Sequence, residues 1–346
     1  MRVGIELVRA RLRAPFVAGW GEVEERELVV VSVHDSAGRV GYGEAAPLEP
    51  YDGVSVEDVL GELERCRELL TRARALDRAE LLAQCAEASV VPQALAAVDL
   101  ALWDLAGREA GRPVWALLGA AAPDPVTVNY TIAASDRAGA AAEAGAARAA
   151  GFRCLKAKVG VGDDAGRLAA VRAVAGPELA IRVDANGAWS LAEALATLRV
   201  LAPVGLELCE EPVRGYEEIE RLSSLVGVRL ALDESAEQAG ALDRRRCHAV
   251  CLKVGRCGGI SGLLAAARRA RKVGYDVYLA SALDGPLGIA AALHAACSLA
   301  PARACGLATL SMFAGRPDPL PARAGQIAPP TGAGLGDGLI DWYRRS

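Results

Sequence analysis

The sequence predicts an α/β protein: a closed barrel of repeated βα units preceded by a smaller α+β domain. Two observations point there. After Pro123-Asp124-Pro125, short apolar strands alternate with Ala-rich helices, and repeated units of that length build a parallel sheet or barrel. Before that point, longer period-two segments give way to helical ones. A chain of 346 residues exceeds the usual span of one compact domain, which suits a barrel with a satellite. The boundaries we read are 1–122 for the capping domain, 123–316 for the barrel and 317–346 for a Pro- and Gly-rich tail packing irregularly over the cap.

Residues 2–12 and 26–34 alternate like strands, and His34-Asp35-Ser36-Ala37-Gly38 turns the chain into a third short strand, Arg39 to Gly43. Between the first two, Arg13 to Glu25 carries Pro15, Gly19, Gly21 and Trp20, and reads as a mobile loop able to cover a site. Helical spacing follows from Ser55, a fitting N-cap, to about Arg74, and again from Pro92 to Ala110, where Gly111-Arg112-Pro113 stops it. The barrel strands are Val126–Ile132, Cys154–Val159, Ala180–Asp184, Gly205–Glu210, Val228–Asp233, Ala249–Val254, Asp276–Ala280 and Ala302–Leu307. The intervening helices have no fixed-length repeat, which argues against a solenoid.

Hydrophobic residues make up 52% of the chain and aromatic ones 4%, so the interior is built from Ala, Val, Leu and Ile. A net charge of −4, spread along the chain, offers no concentrated positive field for nucleic-acid phosphates. No apolar run is long enough to cross a bilayer and none resembles a leader, so we expect a cytoplasmic protein with no membrane partner. Nine scattered cysteines suit reduced thiols better than a disulfide framework. Cys247, His248, Cys251 and Cys257 raise zinc as a question, but lack a paired C-x-x-C spacing.

The chemistry-bearing residues fall at strand ends. Asp184 (in Val183-Asp184-Ala185-Asn186), Glu210 (in Glu210-Glu211-Pro212) and Asp233 (in Asp233-Glu234-Ser235) close three successive strands. The C-terminal ends of barrel strands converge on one mouth, so acids a full βα unit apart can meet there. With waters and a substrate carboxylate, three such oxygens complete an octahedron for Mg²⁺, with Mn²⁺ as a substitute. Any one of these acids alone reads as an N-cap or surface charge; three on adjacent units reverse that reading. Period-two geometry points Lys156 and Lys158 to one face of their strand. A lone K-x-K is usually a solvated edge, but this pair precedes the acidic strands by one unit. Lys253, the only lysine between Lys158 and Lys272, lies several strands on and faces Lys158 across a closed barrel. Neighbouring positive charge and desolvation would bring a lysine pKa towards about 7 to 8, suited to acid–base work on a carbon acid.

Lys156-x-Lys158, Asp184-Ala-Asn186, Glu210-Glu-Pro, Asp233-Glu-Ser and Lys253 before Gly258-Gly259, with Gly41-Tyr42-Gly43-Glu44, form an ordered set across nearly the whole chain. That set resembles the muconate-cycloisomerase-like subgroup of the enolase superfamily. The resemblance implies a modified TIM barrel, (β/α)7β, with an N-terminal α+β cap, one Mg²⁺ on Asp184, Glu210 and Asp233, and acid–base lysines at Lys158 and Lys253. It makes Lys156 an electrostatic modulator of Lys158, and Asn186, Glu211 and Glu234 supports behind the metal ligands. Trp20, on a closing loop, with Thr131, Ser281, Asp284, Gly306 and Leu307, would bind a small carboxylate substrate; a homo-oligomer is left open. Within the subgroup, Ser281–Gly288 and Ala304–Leu310 look most like o-succinylbenzoate synthases of high-GC bacteria, which implies a dehydrating lyase of menaquinone biosynthesis. Gly306-Leu307-Ala308 lacks the Asp-x-Asp pair of dipeptide epimerases, whereas Asp284-Gly285-Pro286 departs from the synthase pattern and Asn129–Ile132 also suits an epimerase. Dipeptide epimerase or N-acylamino acid racemase is the alternative; muconate-type cycloisomerisation and a non-catalytic barrel stand behind it.

Overall fold

Along the second strand, successive side chains enter two different cores. The computed structural model describes residues 1–72, 77–121, 123–160 and 162–345. β1 (Arg2–Ala18), β2 (Gly21–His34) and β3 (Val40–Ala45) form an antiparallel sheet in that order. Val29, Val31 and Val33 of β2 pack on the cap helices, while Leu28 and Val30 join the larger core shared with the barrel. The period of two thus glues the cap to its own helices on one face and to the barrel on the other. The segment read as a mobile loop, Arg13 to Glu25, instead continues both strands: Phe16 pairs with Val23 and Ala18 with Gly21 after a register shift. Backbone pairing outweighs the turn-forming residues there, and only Gly19 and Trp20 form the tip.

The cap helices are α1 (Glu49–Asp52), α2 (Val56–Arg72), α3 (Arg78–Ala88), α4 (Pro92–Ala110) and α5 (Val114–Leu117). Ser55 caps α2 as expected, its Oγ accepting from Asp58 N at 3.0 Å; the expected end at Arg74 and the boundary residue 122 lie outside the described residues. α4 begins at Pro92 and ends at Gly111, whose φ of +60° is the left-handed conformation that glycine adopts freely. β3 lies directly on α4. A Cβ at Gly41 or Gly43 would sit 2.2 Å from Ala101 O or 2.0 Å from Ala97 O, so the G-x-G spacing is a packing requirement.

The barrel alternates β5 (Tyr130–Ile132), α6 (Arg137–Ala149), β6 (Cys154–Lys158), α7 (Asp164–Ala175), β7 (Ala180–Asp184), α8 (Leu191–Leu201), β8 (Leu208–Glu210), α9 (Tyr216–Ser223), β9 (Leu230–Leu232), β10 (Ala249–Lys253), α10 (Ile260–Lys272), β11 (Asp276–Ala280) and α11 (Pro286–Leu299), preceded by β4 (Val126–Thr127). β5 to β11 form one parallel sheet in sequence order. The eighth strand expected at Ala302–Leu307 is reduced to two bridges, Val128 with Cys305 and Ala280 with Gly306, which close the ring. The expected first strand, Val126–Ile132, is split, because Val126 and Thr127 pair antiparallel with β12 (Gln326–Ile327) of the tail. The tail also enters the core with Leu335, Trp342 and Tyr343, and Leu335 N donates to Asp104 of α4 at 2.7 Å.

Candidate active site

Parallel register sets the site. Lys158, Asp184 and Glu210 are direct neighbours across β6, β7 and β8, so one rung carries an amine and two carboxylates at the barrel mouth. Asp233 follows β9 and Lys253 ends β10, and both line the same pocket as Lys158 and Asp184. Asp184, Glu210, Asp233 and Lys253 are buried and Lys158 is half-buried, and burial of charge is tolerated only with partners. Lys156 Nζ lies 2.5 Å from Glu210 Oε1 and 3.0 Å from Asp184 Oδ2. Lys158 Nζ donates to Asp184 Oδ2 at 2.7 Å and to Asn186 Oδ1 at 2.8 Å. Lys253 Nζ donates to Asp233 Oδ1 and, at 2.9 Å, to the hydroxyl of Tyr51 from the cap.

Supporting contacts surround these groups. Asn186, at φ +47°, passes from Lys158 to Glu234, donating to Glu234 Oε1 at 2.9 Å. Glu211 turns away from the pocket at φ +39° and accepts from Asp233 N at 2.7 Å and Ser235 N at 3.0 Å, anchoring the loop that carries Asp233. Tyr278 OH donates to Glu210 Oε2 at 2.6 Å from inside the barrel, leaving Oε1 as the oxygen that faces Lys156. Sequence reasoning missed Tyr278, since a tyrosine inside an apolar strand reads as core.

The electrostatics differ from the expected lowered lysines. Burial opposes ionisation of Asp184, but the ammonium groups of Lys156 and Lys158 outweigh it and hold the carboxyl below its ordinary range. Burial likewise opposes the Lys253 ammonium, yet Asp233 together with Tyr51, Cys251 and Glu210 raises it well above the ordinary lysine value. The carboxylates are the nearest charges and decide the sign.

Asp184, Glu210 and Asp233 fit a hard divalent cation. They offer oxygens only, and the Lys156 ammonium already stands as the cation between the first two. Oxygens of Glu210 and Asp233 lie with Cys251 Sγ inside 4.8 Å of one another, a group that does not include Asp184. Burial pushes the Cys251 thiol far up, so it stays protonated and is a poor ligand. The zinc question closes on this point: among the described residues, Cys247, His248 and Cys257 join no ligand group, and His248 Nδ1 accepts from Leu230 N at 3.3 Å. All nine cysteines are free.

Above the charges a pocket of about 560 Å³ opens between barrel and cap. Trp20, Thr131, Ser281 and Gly306 line it as the sequence suggested. Asp284 and Leu307 do not: Leu307 is in the core, and Leu283 at φ +58° reverses the chain so that Asp284 is buried behind the wall, accepting from Ala282 N at 3.1 Å. Phe16, Leu48, Tyr51 and Thr309 complete the wall unforeseen. Phe16 is one of 3 phenylalanines in the chain, placed near Trp20 in sequence, and that pairing was the one available signal. Ser281 Oγ and Thr309 Oγ1 are 2.9 Å apart.

Residues 2–119 match the mandelate racemase / muconate lactonizing enzyme N-terminal domain, and residues 139–340 match the enolase C-terminal domain-like family. The chain belongs to the enolase superfamily. Similarity to superfamily members spans several activities. Over 311 residues it is 28% identical to a D-Ala-D/L-Ala epimerase of Cytophaga hutchinsonii, covering 84% of this chain and 82% of the relative. Over 203 residues it is 40% identical to an o-succinylbenzoate synthase of Mycobacterium bovis, covering 55% and 59%. A crystal structure of a Cytophaga hutchinsonii dipeptide epimerase with Mg and D-Ala-L-Val superposes with a TM-score of 0.89 at 27% identity, covering 99% of this chain and 98% of that one. This superfamily enzyme has no helix, among the described residues, long and apolar enough to cross a membrane.

Proposed function

We propose that this enzyme moves a proton at the carbon alpha to a carboxylate, and that its main outcome is racemisation or epimerisation of an N-acylated amino acid. One observation carries the reading: Lys158 and Lys253 come from β6 and β10, four strand steps apart in the sheet, and both amines border the same pocket. Inverting a carbon needs a base on one face and an acid on the other. Neutral Lys158 takes the α-proton as the C–H pair moves into the carboxylate carbon–oxygen system. The ammonium of Lys253 then delivers its proton to the opposite face, and the lysines reset by exchange with water. Asp184, Glu210 and Asp233 would hold Mg²⁺, which supplies a Lewis acid for the substrate carboxylate when bound. Lys156 keeps positive charge beside Asp184 and Glu210.

The far wall selects the substrate class. Beyond the metal ligands, the wall consists of aromatic and aliphatic side chains with the hydroxyls of Ser281, Thr309 and Thr131, and, among the described residues, no carboxylate to pair with a free ammonium. A neutral acyl group fits this wall better than the charged amino end of a dipeptide. The superfamily relatives support proton transfer at such carbons, several being named epimerases or racemases. The test is proton NMR in D₂O with Mg²⁺ and N-acyl amino acids of either hand: loss of the α-hydrogen signal with interconversion of enantiomers supports the reading, and neither event with any acyl chain overturns it.

A second reading rests on the 40% identity to the o-succinylbenzoate synthase. The same Lys158 would remove the proton and, as the acid, assist loss of hydroxide to leave an aromatic ring. The absorbance change of that substrate, a hydroxycyclohexadiene dicarboxylate, separates the readings in one cuvette.

A further inference from the structure

Two motifs remain outside the chemistry: Gly41-Tyr42-Gly43-Glu44 in the cap and Asp284-Gly285-Pro286-Leu287-Gly288 after β11. In the structure they are two halves of one contact. Glu44 Oε1 accepts from Gly285 N at 2.8 Å, and Glu44 Oε2 accepts from the hydroxyl of Tyr343, near the end of the tail. Tyr343 OH in turn accepts from Leu287 N at 2.9 Å, at the start of α11. A Cβ at Gly285 would lie 2.5 Å from Glu44 Oε2, and one at Gly288 would lie 2.9 Å from Glu44 Oε1, so both glycines make room for this carboxyl.

Arg26 of β2 makes the complementary contact. Its guanidinium donates to Pro47 O at 2.7 Å, to Ala46 O at 2.9 Å and to Leu283 O at 3.4 Å. Those carbonyls belong to two stretches that meet at Arg26 and border the pocket: Ala46–Pro47 leads into Leu48 and Tyr51, and Leu283 ends the Ser281–Leu283 wall. Arg26 is 2% exposed, Glu44 3% and Asp284 5%, and none of them lines the pocket. Burying three ionisable groups at a domain junction costs more than an apolar junction of equal volume, and the best-attested gain from such groups is a fixed register between the parts they join.

We infer that Glu44 and Arg26 are positioning residues that set substrate specificity by fixing the Ser281–Leu283 wall against the cap, with Tyr343 of the tail as the latch on Glu44. The inference rests on the pocket being the substrate site, as argued above. The wall carries the Ser281 hydroxyl, one of the polar groups lining the pocket away from the lysines, so a displaced wall weakens substrate binding and leaves the proton transfer intact. Burial, followed by the nearby Asp284, pushes Glu44 up to about 8; both of its oxygens accept a hydrogen bond, and an amide keeps only one of those two acceptors.

The test uses the full-length Mg²⁺ enzyme with Glu44→Ala, Glu44→Gln and Tyr343→Phe. Expected for Glu44→Ala is a KM about tenfold higher for N-acyl substrates with kcat within about threefold, and for Glu44→Gln and Tyr343→Phe, each of which loses one of the contacts, a KM between that and wild type. Affinity for Mn²⁺, read by its paramagnetic resonance, should stay within about twofold in all three, since no metal ligand is touched. Amide hydrogen exchange over 281–287 should rise in Glu44→Ala and Tyr343→Phe while that of β6 stays unchanged. Unchanged KM and unchanged exchange over 281–287 in folded Tyr343→Phe would overturn the inference, and so would a loss of kcat equal to the rise in KM. Should Glu44→Ala not fold, Tyr343→Phe decides alone. Wild-type protein inactive on every substrate would overturn the functional reading, and amide exchange would then decide whether the latch exists.

Discussion

At the floor of the pocket, Lys156, Lys158, Asp184, Glu210, Asp233 and Lys253 are locked into ion pairs by four strand ends and one loop start of the barrel. At its roof, Phe16, Trp20, Leu48 and Tyr51 arrive from a hairpin and a short helix of the cap, and Trp20 touches Phe16 and Tyr51 only through rings 6.4 Å and 6.2 Å apart. The floor is held by adjacent hydrogen-bonded strands, so its geometry survives changes elsewhere; the roof depends on two segments folding over the mouth together. Under the proposed function, chemistry and selectivity are separable in this molecule, the first in the barrel and the second in the cap and the wall it braces.

The most severe way to break the floor is Lys158→Ala, which should lower kcat for α-proton exchange by about 10³-fold, measured by NMR in D₂O with KM little changed. Lys253→Ala separates the outcomes: inversion should be lost while exchange from the Lys158 face continues, and inversion at near wild-type rate would refute the two-base reading. Tyr278→Phe tests the floor one layer down. It frees Glu210 Oε2 and should weaken Mg²⁺ or Mn²⁺ binding by about tenfold, measured by titration calorimetry, with wild-type kcat at saturating metal. Trp20→Ala tests the roof and should give the smallest change, a KM higher by about fivefold with metal affinity untouched; a comparable fall in kcat would show that the roof takes part in the chemistry.

The floor was legible because its signal is periodic and local. Asp184, Glu210 and Asp233 each end or directly follow a short apolar strand, and the barrel architecture brings such positions together whatever the loops do. The roof was not. Arg13 to Glu25 carries turn-forming residues, and their reading as a loop yields to the hairpin pairing of Phe16 with Val23 and Ala18 with Gly21, which resumes after a register shift. α3 was missed although Asp77 and Glu80 form a capping box at its start, because its apolar spacing is weak.

By itself the sequence determined which residue types stand at the strand ends, and so the barrel, the acid triplet and the paired lysines, because strand period and βα order are properties of neighbouring residues. Tertiary structure alone decided that Tyr51 reaches Lys253 and that Tyr343 meets Glu44, since each contact joins parts of the chain far apart in sequence. Such contacts follow from the closure of the barrel and the docking of the cap, where packing and hydrogen-bond satisfaction act on the whole molecule at once.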